Sequence, residues 1–141
     1  MFANFIYLII AILVYAIYQP TENPGLSAAE AITQYLENRS DDVILNVLPF
    51  SFDYGLYQAL MACQIGGTLV INNGFSFPGE IIKIIREREI TGLPVVPTML
   101  SILFHLRGID DKEFPSVRYI SNTGAAFPPS FFSRLKGIFP N

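Results

Sequence analysis

Cysteine, histidine and tryptophan are nearly missing from this chain, with one Cys, one His and no Trp in 141 residues. A lone Cys excludes an internal disulfide and any multi-thiolate metal site, and a lone His excludes the paired-histidine metal motifs. Charge is sparse as well, 15% of residues against about 25% in an average soluble protein. There is no Lys/Arg cluster and the formal net charge is -3, so no nucleic-acid surface is expected. What the chain does have is apolar mass: 51% of it is hydrophobic, including 12 Phe and 7 Tyr, ample for the core of one domain. Either a core buried on both faces of a sheet or a membrane segment produces this bias, and the sequence carries signs of each.

The membrane sign is at the start. Phe2 through Tyr18 holds no charged residue. As a helix it would be roughly 25 Å long, at the short limit for a bilayer span. It lacks the basic start and the small-residue cleavage site of a secretory signal. Two readings stand: an uncleaved anchor, or a buried helix or mis-started segment. All Lys and Arg follow it, which in the anchored reading places the rest of the chain on the cytoplasmic side. The organisation expected is an apolar helix over 1–19, a Pro/Asn/Gly linker over 20–25 and a folded unit over 26–141.

Within that unit, Ser27 followed by Glu30 reads as a capping box for a helix over 26–38. Its Ala28, Ala31, Ile32, Tyr35 and Leu36 recur at helical spacing. Short apolar runs over 43–48, 68–71, 93–96 and 117–121 read as strands. They alternate with helices over 53–65, 78–90, 98–106 and 128–138. The pattern predicts an α/β fold: a partial, mostly parallel sheet with helices on both faces, preceded by the apolar N-terminal helix. The strands lack polar–apolar alternation, as strands buried on both faces do. The last helix is followed by no closing strand, which reads as a sheet cut short. Cys63 is expected in the core as a small apolar residue. His105 is expected at the surface or as a helix cap.

Three strand-end turns carry the chemistry, because ligands of such sheets sit at the carboxyl ends of the strands. They are Leu48-Pro49-Phe50-Ser51-Phe52-Asp53-Tyr54-Gly55, Val95-Val96-Pro97-Thr98 and Ser121-Asn122-Thr123-Gly124-Ala125-Ala126. In this order they resemble turns of the AMP-forming adenylating enzymes, the superfamily of acyl-CoA synthetases and amino-acid adenylation domains. The resemblance covers 26–141 and places the chain in the centre of that family's large N-terminal domain.

The resemblance implies that Phe52, Asp53, Val96 and Pro97 line an acid pocket, and that Thr123, Gly124, Ala125 and Ala126 form a shelf for adenine. Small residues suit that shelf because the backbone must come close to the ring. Phe52-Asp53 matches the Phe-Asp-x-Ser pattern of the amino-acid branch, with Gly55 in place of the Ser, and its Asp holds the substrate ammonium. A buried carboxylate there would need such a cation. Read on its own, Asp53 caps the helix that follows, and both roles can hold together. Likewise Val96-Pro97-Thr98 reads on its own as a helix entry, and 121–126 as a packed strand-to-helix turn.

The same resemblance implies ATP, AMP and Mg²⁺ as ligands of the whole family and CoA or a phosphopantetheine thiol as acceptor. A small carboxylic or amino acid is the implied partner. Asp53 points to an amino acid, and Phe52 to a fatty or aryl acid. The family's Lys-bearing phosphate loop is not matched, since 18–25 contains Glu22 and no Lys. Its Tyr-Gly-x-Thr-Glu motif, ribose-binding Asp and catalytic Lys have no counterpart in these 141 residues. The expected function is therefore a piece of an acid–thiol ligase, inactive alone, with no catalytic residue and no bound cofactor of its own, or one completed by the remainder of a split enzyme. The alternative from the apolar head is a membrane-tethered, non-catalytic interaction protein.

Overall fold

The structure, a computed structural model, describes residues 24–72, 74–110 and 113–140. The apolar stretch over 1–19 and most of the expected linker lie outside the described residues. Among the described residues no helix is long and apolar enough to cross a membrane.

Helices and strands alternate: α1 (Pro24–Tyr35), β1 (Val43–Asn46), α2 (Asp53–Ile65), β2 (Thr68–Ile71), α3 (Pro78–Glu87), β3 (Gly92–Val95), α4 (Pro97–Phe104), β4 (Tyr119–Asn122) and α5 (Ser130–Ile138). The four strands form one parallel sheet in the order β2-β1-β3-β4. In α2, Gly66 takes the left-handed conformation at φ 69°, and the Gly67 N–H returns to the Ala62 carbonyl at 2.9 Å. This double-glycine stop ends the helix and aims the chain into β2.

One expectation for α1 is not met. The helix already includes Pro24, the first described residue, which lies inside the expected linker. Ser27 therefore lies within the helix, not ahead of its first turn. Tyr35 is 86% exposed, whereas Ala29 is buried. The two are six residues apart, which puts Tyr35 about 120° round the helix from the buried stripe.

The two faces of the sheet are unlike. Alternate strand residues point to opposite faces. Leu45, Leu93 and Val95 pack with Ile81, Ile85, Leu100, Leu103 and Ile138 in one apolar core beneath α3, α4 and α5. The opposite face holds Ile44 and Asn46 of β1, Gly92 and Pro94 of β3, and Tyr119 and Ser121 of β4. It is met by α2, where the Gly55 carbonyl accepts from Asn46 Nδ2 at 3.2 Å. Burial on both faces thus holds for β1 and β3. The flanking strands β2 and β4 are only half covered, and Ile71 of β2 is 58% exposed.

A polar knot ties the amino ends of the strands on that second face. The Asp42 carboxylate is 2% exposed. It accepts from the Arg39 N–H at 2.8 Å, Asn38 Nδ2 at 3.1 Å, Thr91 Oγ1 at 2.8 Å and Arg118 Nη2 at 2.7 Å. Burial alone would raise its pKa. The Arg39 amide and the Arg118, Asn38 and Thr91 side chains together outweigh that and hold it below the ordinary aspartate value. Asn38 Nδ2 also reaches the Tyr119 hydroxyl at 2.9 Å. Burial, the largest cause, pushes the pKa of that phenol up to about 12.

Candidate functional site

In this strand order, β1 is followed outward to β2 on one side while β3 and β4 build outward on the other. The connections leaving β1 and β3 therefore part company, and such sheets bind ligands in the crevice at that point. The first two turns singled out in the sequence are the ones that flank it.

The first turn folds on itself before α2 begins. Asn46 Oδ1 accepts from the Leu48 N–H at 3.1 Å, and the Pro49 carbonyl accepts from the Phe52 N–H at 3.0 Å. Phe52 is the extended N-cap residue of α2, with a ring 40% exposed. Asp53 is exposed, not a buried carboxylate as expected. It is the first residue of α2, and its Oδ1 accepts from the Tyr54 N–H at 2.7 Å. A carboxylate at a helix N-terminus is stabilised by unpaired N–H groups, so burial against a cation is not needed to explain it. Gly55 is required by contact: a Cβ there would run into the Pro49 carbonyl oxygen and sit 3.0 Å from that of Leu48. The Ser of the amino-acid-branch pattern has no room in this turn.

The second turn enters α4 directly. Val96 is its extended N-cap, Pro97 its first residue, and the Val96 carbonyl accepts from the Met99 N–H at 2.9 Å. Thr98 is exposed and supplies no side-chain cap. The third turn leaves β4 through Thr123, whose N–H donates to the Val95 carbonyl at 3.2 Å. Gly124 is left-handed at φ 84°, and Asn122 Nδ2 closes the bend on the Ala125 carbonyl at 2.7 Å. Gly124, Ala125 and Ala126 are all exposed, leaving a shelf of backbone and methyl groups.

The structure brings the three turns to one edge of the sheet. A Cβ on Gly124 would lie 3.7 Å from Val96 Cγ1, so the second and third turns touch. The Tyr54 hydroxyl and Ser121 Oγ are 2.7 Å apart, which links the first turn to the strand that leads into the third. Burial raises the Tyr54 pKa and the Ser121 hydrogen bond offsets part of the rise. The phenol is thus a neutral group at physiological pH.

Asn46 and Gln58 escaped the sequence reading as parts of this region, and Tyr54 and Ser121, though named within two of the turns, were not expected to pair. Gln58 alone had a signal, an amide inside the apolar stretch of α2. It is fully buried, and its Nε2 donates to the Tyr54 carbonyl at 3.2 Å. Two other expectations meet the structure differently. Cys63 is exposed, on the side of α2 turned away from the sheet, and is not a core residue. His105 is the exposed C-cap of α4, with Nδ1 2.6 Å from the Ser101 carbonyl oxygen, as expected.

Among the described residues no group of three His, Cys, Asp or Glu could hold a metal ion. The donor set at the turns, one exposed carboxylate with backbone and methyl groups, does not fit Mg²⁺. The three turns contain no Lys or Arg. A cavity of about 160 Å³ lies elsewhere, between β4 and α5, with Val117, Ile120, Leu135 and Phe139 in its wall.

A family model described as AMP-binding enzyme matches residues 20–141. The 4-coumarate--CoA ligase 1 of Solanum tuberosum is 26% identical over 103 residues, 72% of this chain and 19% of the ligase. Tyrocidine synthase 3 of Brevibacillus parabrevis is 28% identical over 98 residues, 68% of this chain and 2% of the synthase. Among solved structures, that of VinN in complex with L-aspartate is 29% identical with a TM-score of 0.69, covering 80% of this chain and 28% of that one. The chain thus spans well under a third of the length of each.

Proposed function

Since the chain belongs to the AMP-binding enzyme family, we propose that its strand-end turns are the acid and adenine walls of an adenylating site. Phe52, Asp53, Val96 and Pro97 face the acid, and Thr123, Gly124, Ala125 and Ala126 face the adenine. In the complete reaction a carboxylate oxygen attacks the α-phosphorus of ATP and pyrophosphate leaves. A thiol, of CoA or a phosphopantetheine arm, then attacks the acyl carbon and AMP leaves. The part assigned to these residues is positioning, which supplies much of the rate in such transfers. The observation that carries the reading is the meeting of the turns: Val96 against Gly124, and Tyr54 bonded to Ser121.

Charge stabilisation at the phosphates requires cations and acids that the three turns do not offer. We assign those groups to polypeptide beyond these 141 residues, either in the same protein or in the remainder of a split one. The chain by itself then binds but does not turn over. An amino acid and an aryl or fatty acid both remain within the proposed class of acid. The exposed Asp53 is open to an ammonium group, and the VinN complex with L-aspartate supports that branch. The Solanum tuberosum ligase supports an acid without one.

Titration of the 141-residue chain with adenosine tests the shelf. Saturable binding is expected, and Gly124→Val should abolish it by straining the left-handed bend and crowding Val96. Absence of binding, or binding indifferent to that substitution, would remove the basis of the assignment. Pyrophosphate exchange by the same chain would show that the phosphate machinery is present after all.

A further inference from the structure

We propose that the open edge of β4, with the cavity beside it under α5, is a docking surface for this chain's own apolar stretch, Phe2 through Tyr18, laid along β4 as a further parallel strand. The inference stands independently of the adenylating reading.

The edge has the hydrogen-bonding groups and the hollow that an added strand uses. β4 pairs with β3 alone, at the end of the strand order. The Tyr119 N–H donates to the Thr91 carbonyl and the Thr123 N–H to the Val95 carbonyl, each at 3.2 Å. Backbone groups alternate sides along a strand, so the N–H and C=O of Ile120 and Asn122 point away from β3. Beside them the cavity of about 160 Å³ is walled by Val117, Ile120, Leu135, Phe139 and Phe132, the last 55% exposed. An unpaired strand edge next to exposed apolar surface is a template for another strand.

The sequence supplies an occupant of matching chemistry. Eleven of the seventeen residues from Phe2 to Tyr18 are β-branched or aromatic and none is charged, the composition of a strand buried on both faces.

Topology selects β4 over β2, the other open edge of the sheet. α1 packs against α2, on the face that carries the polar knot. Arg118 Nη1 donates to the Leu36 carbonyl at 3.3 Å, so α1 ends at the amino ends of the strands. Its 12 residues start about 18 Å away, at the carboxyl ends. A strand parallel to β4 finishes at that same edge, and the linking residues 19–23 reach up to about 17 Å. From β1, α2 leads to β2 across this face, and parallel crossovers of this kind are right-handed. A strand outside β4, followed by α1 and β1, crosses the sheet in the same direction with its helix on the same face, and is right-handed too. From outside β2 the direction reverses while the helix stays on that face, which gives the left-handed crossover that folds avoid. With the edge filled from within, a strand of any second polypeptide is denied this side of the sheet.

Amide hydrogen exchange of the 141-residue chain, read residue by residue by NMR, tests the proposal. The Ile120 and Asn122 amides should be protected at least about a hundredfold over free-peptide rates, although β3 does not bond them. Ile10→Lys combined with Ile12→Lys puts two charges on one face of the added strand. It should remove at least about tenfold of that protection while the Thr123 amide, bonded to Val95, keeps its own. Free exchange at Ile120 and Asn122 in the unsubstituted chain overturns the inference. Protection that the lysines leave unchanged overturns it as well, as does protection lost on dilution, which assigns the edge to a second copy. If the double variant unfolds, shown by loss of protection at Thr123 too, a spin label at Lys136→Cys in a Cys63→Ser background decides. Paramagnetic broadening of resonances between Phe2 and Tyr18 is expected, and its absence overturns the proposal.

Discussion

The two faces of this sheet do different jobs with the same strands. The face toward α3, α4 and α5 is closed by aliphatic and aromatic side chains with no polar group at its centre. The face toward α2 mixes apolar residues such as Ile44, Pro94 and Ala59 with polar groups, Asp42, Asn38 and Tyr119 at the amino ends and Asn46, Gln58, Tyr54 and Ser121 near the carboxyl ends. Apolar burial is non-directional and supplies cohesion. Hydrogen bonds are directional, and a buried network of them holds its members to one arrangement. The candidate site stands at the end of the polar face, so cohesion comes from one side of the sheet and placement of the turns from the other.

The sharpest way to break that contrast is on the apolar face. Leu93→Ala should lower unfolding free energy by about 2–5 kcal/mol, the usual cost of emptying a close-packed leucine site, measured by urea denaturation. A loss under about 1 kcal/mol would show that this face is not what holds the fold together.

The next largest effect belongs to the polar knot. Arg118→Met leaves the Asp42 carboxylate buried without its cation and should cost about 3 kcal/mol at neutral pH. That is the low end for a broken buried pair, because the Arg118 side chain is 27% exposed. The pKa of Asp42 is depressed in the fold. Its contribution is therefore present above the unfolded value of about 3.9 and is lost as pH falls through the folded value. The gap between wild type and Arg118→Met should be full at neutral pH and narrow on acidification, because Asp42 protonates first in the variant, whose buried carboxylate has lost its cation, and last in the wild type. A gap that widens on acidification would contradict the ionised pairing.

Tyr54→Phe should have the smallest effect, about 1 kcal/mol for one hydrogen bond to Ser121. If thermal denaturation showed a loss equal to that of Leu93→Ala, the division of labour between the faces would be wrong.

Much of the fold could be read from local patterns. The limits of α2 and β2 coincide with the expected ones, because Asp53, Gly66 and Gly67 are strong start and stop signals. Other boundaries moved by one to a few residues, as where α4 opens on Pro97 and where α5 begins at Ser130, after the two prolines expected to open it. Three candidate turns were legible because each is a run of adjacent residues. The groups that join them were not. Tyr54 and Ser121 are 67 positions apart, and Asp42 and Arg118 are 76 apart. Neither pairing has a signature until the strands are laid side by side. Burial was misjudged for Asp53 and Cys63 for a related reason. Composition tells what a residue prefers, while the helix phase and the neighbouring loop decide which way it turns.

Gly124 combines a φ of 84° with a Cβ position whose one near neighbour is Val96 Cγ1, at 3.7 Å. No residue with a Cβ adopts that backbone cheaply, so the path of the chain there is not adjustable by substitution. Retuning of whatever rests on this bend has to come from its flanks, where Ala125 and Ala126 can gain atoms without changing direction. The glycine acts as a fixed pivot, and chemical variety is confined to the two methyl-bearing positions that follow it.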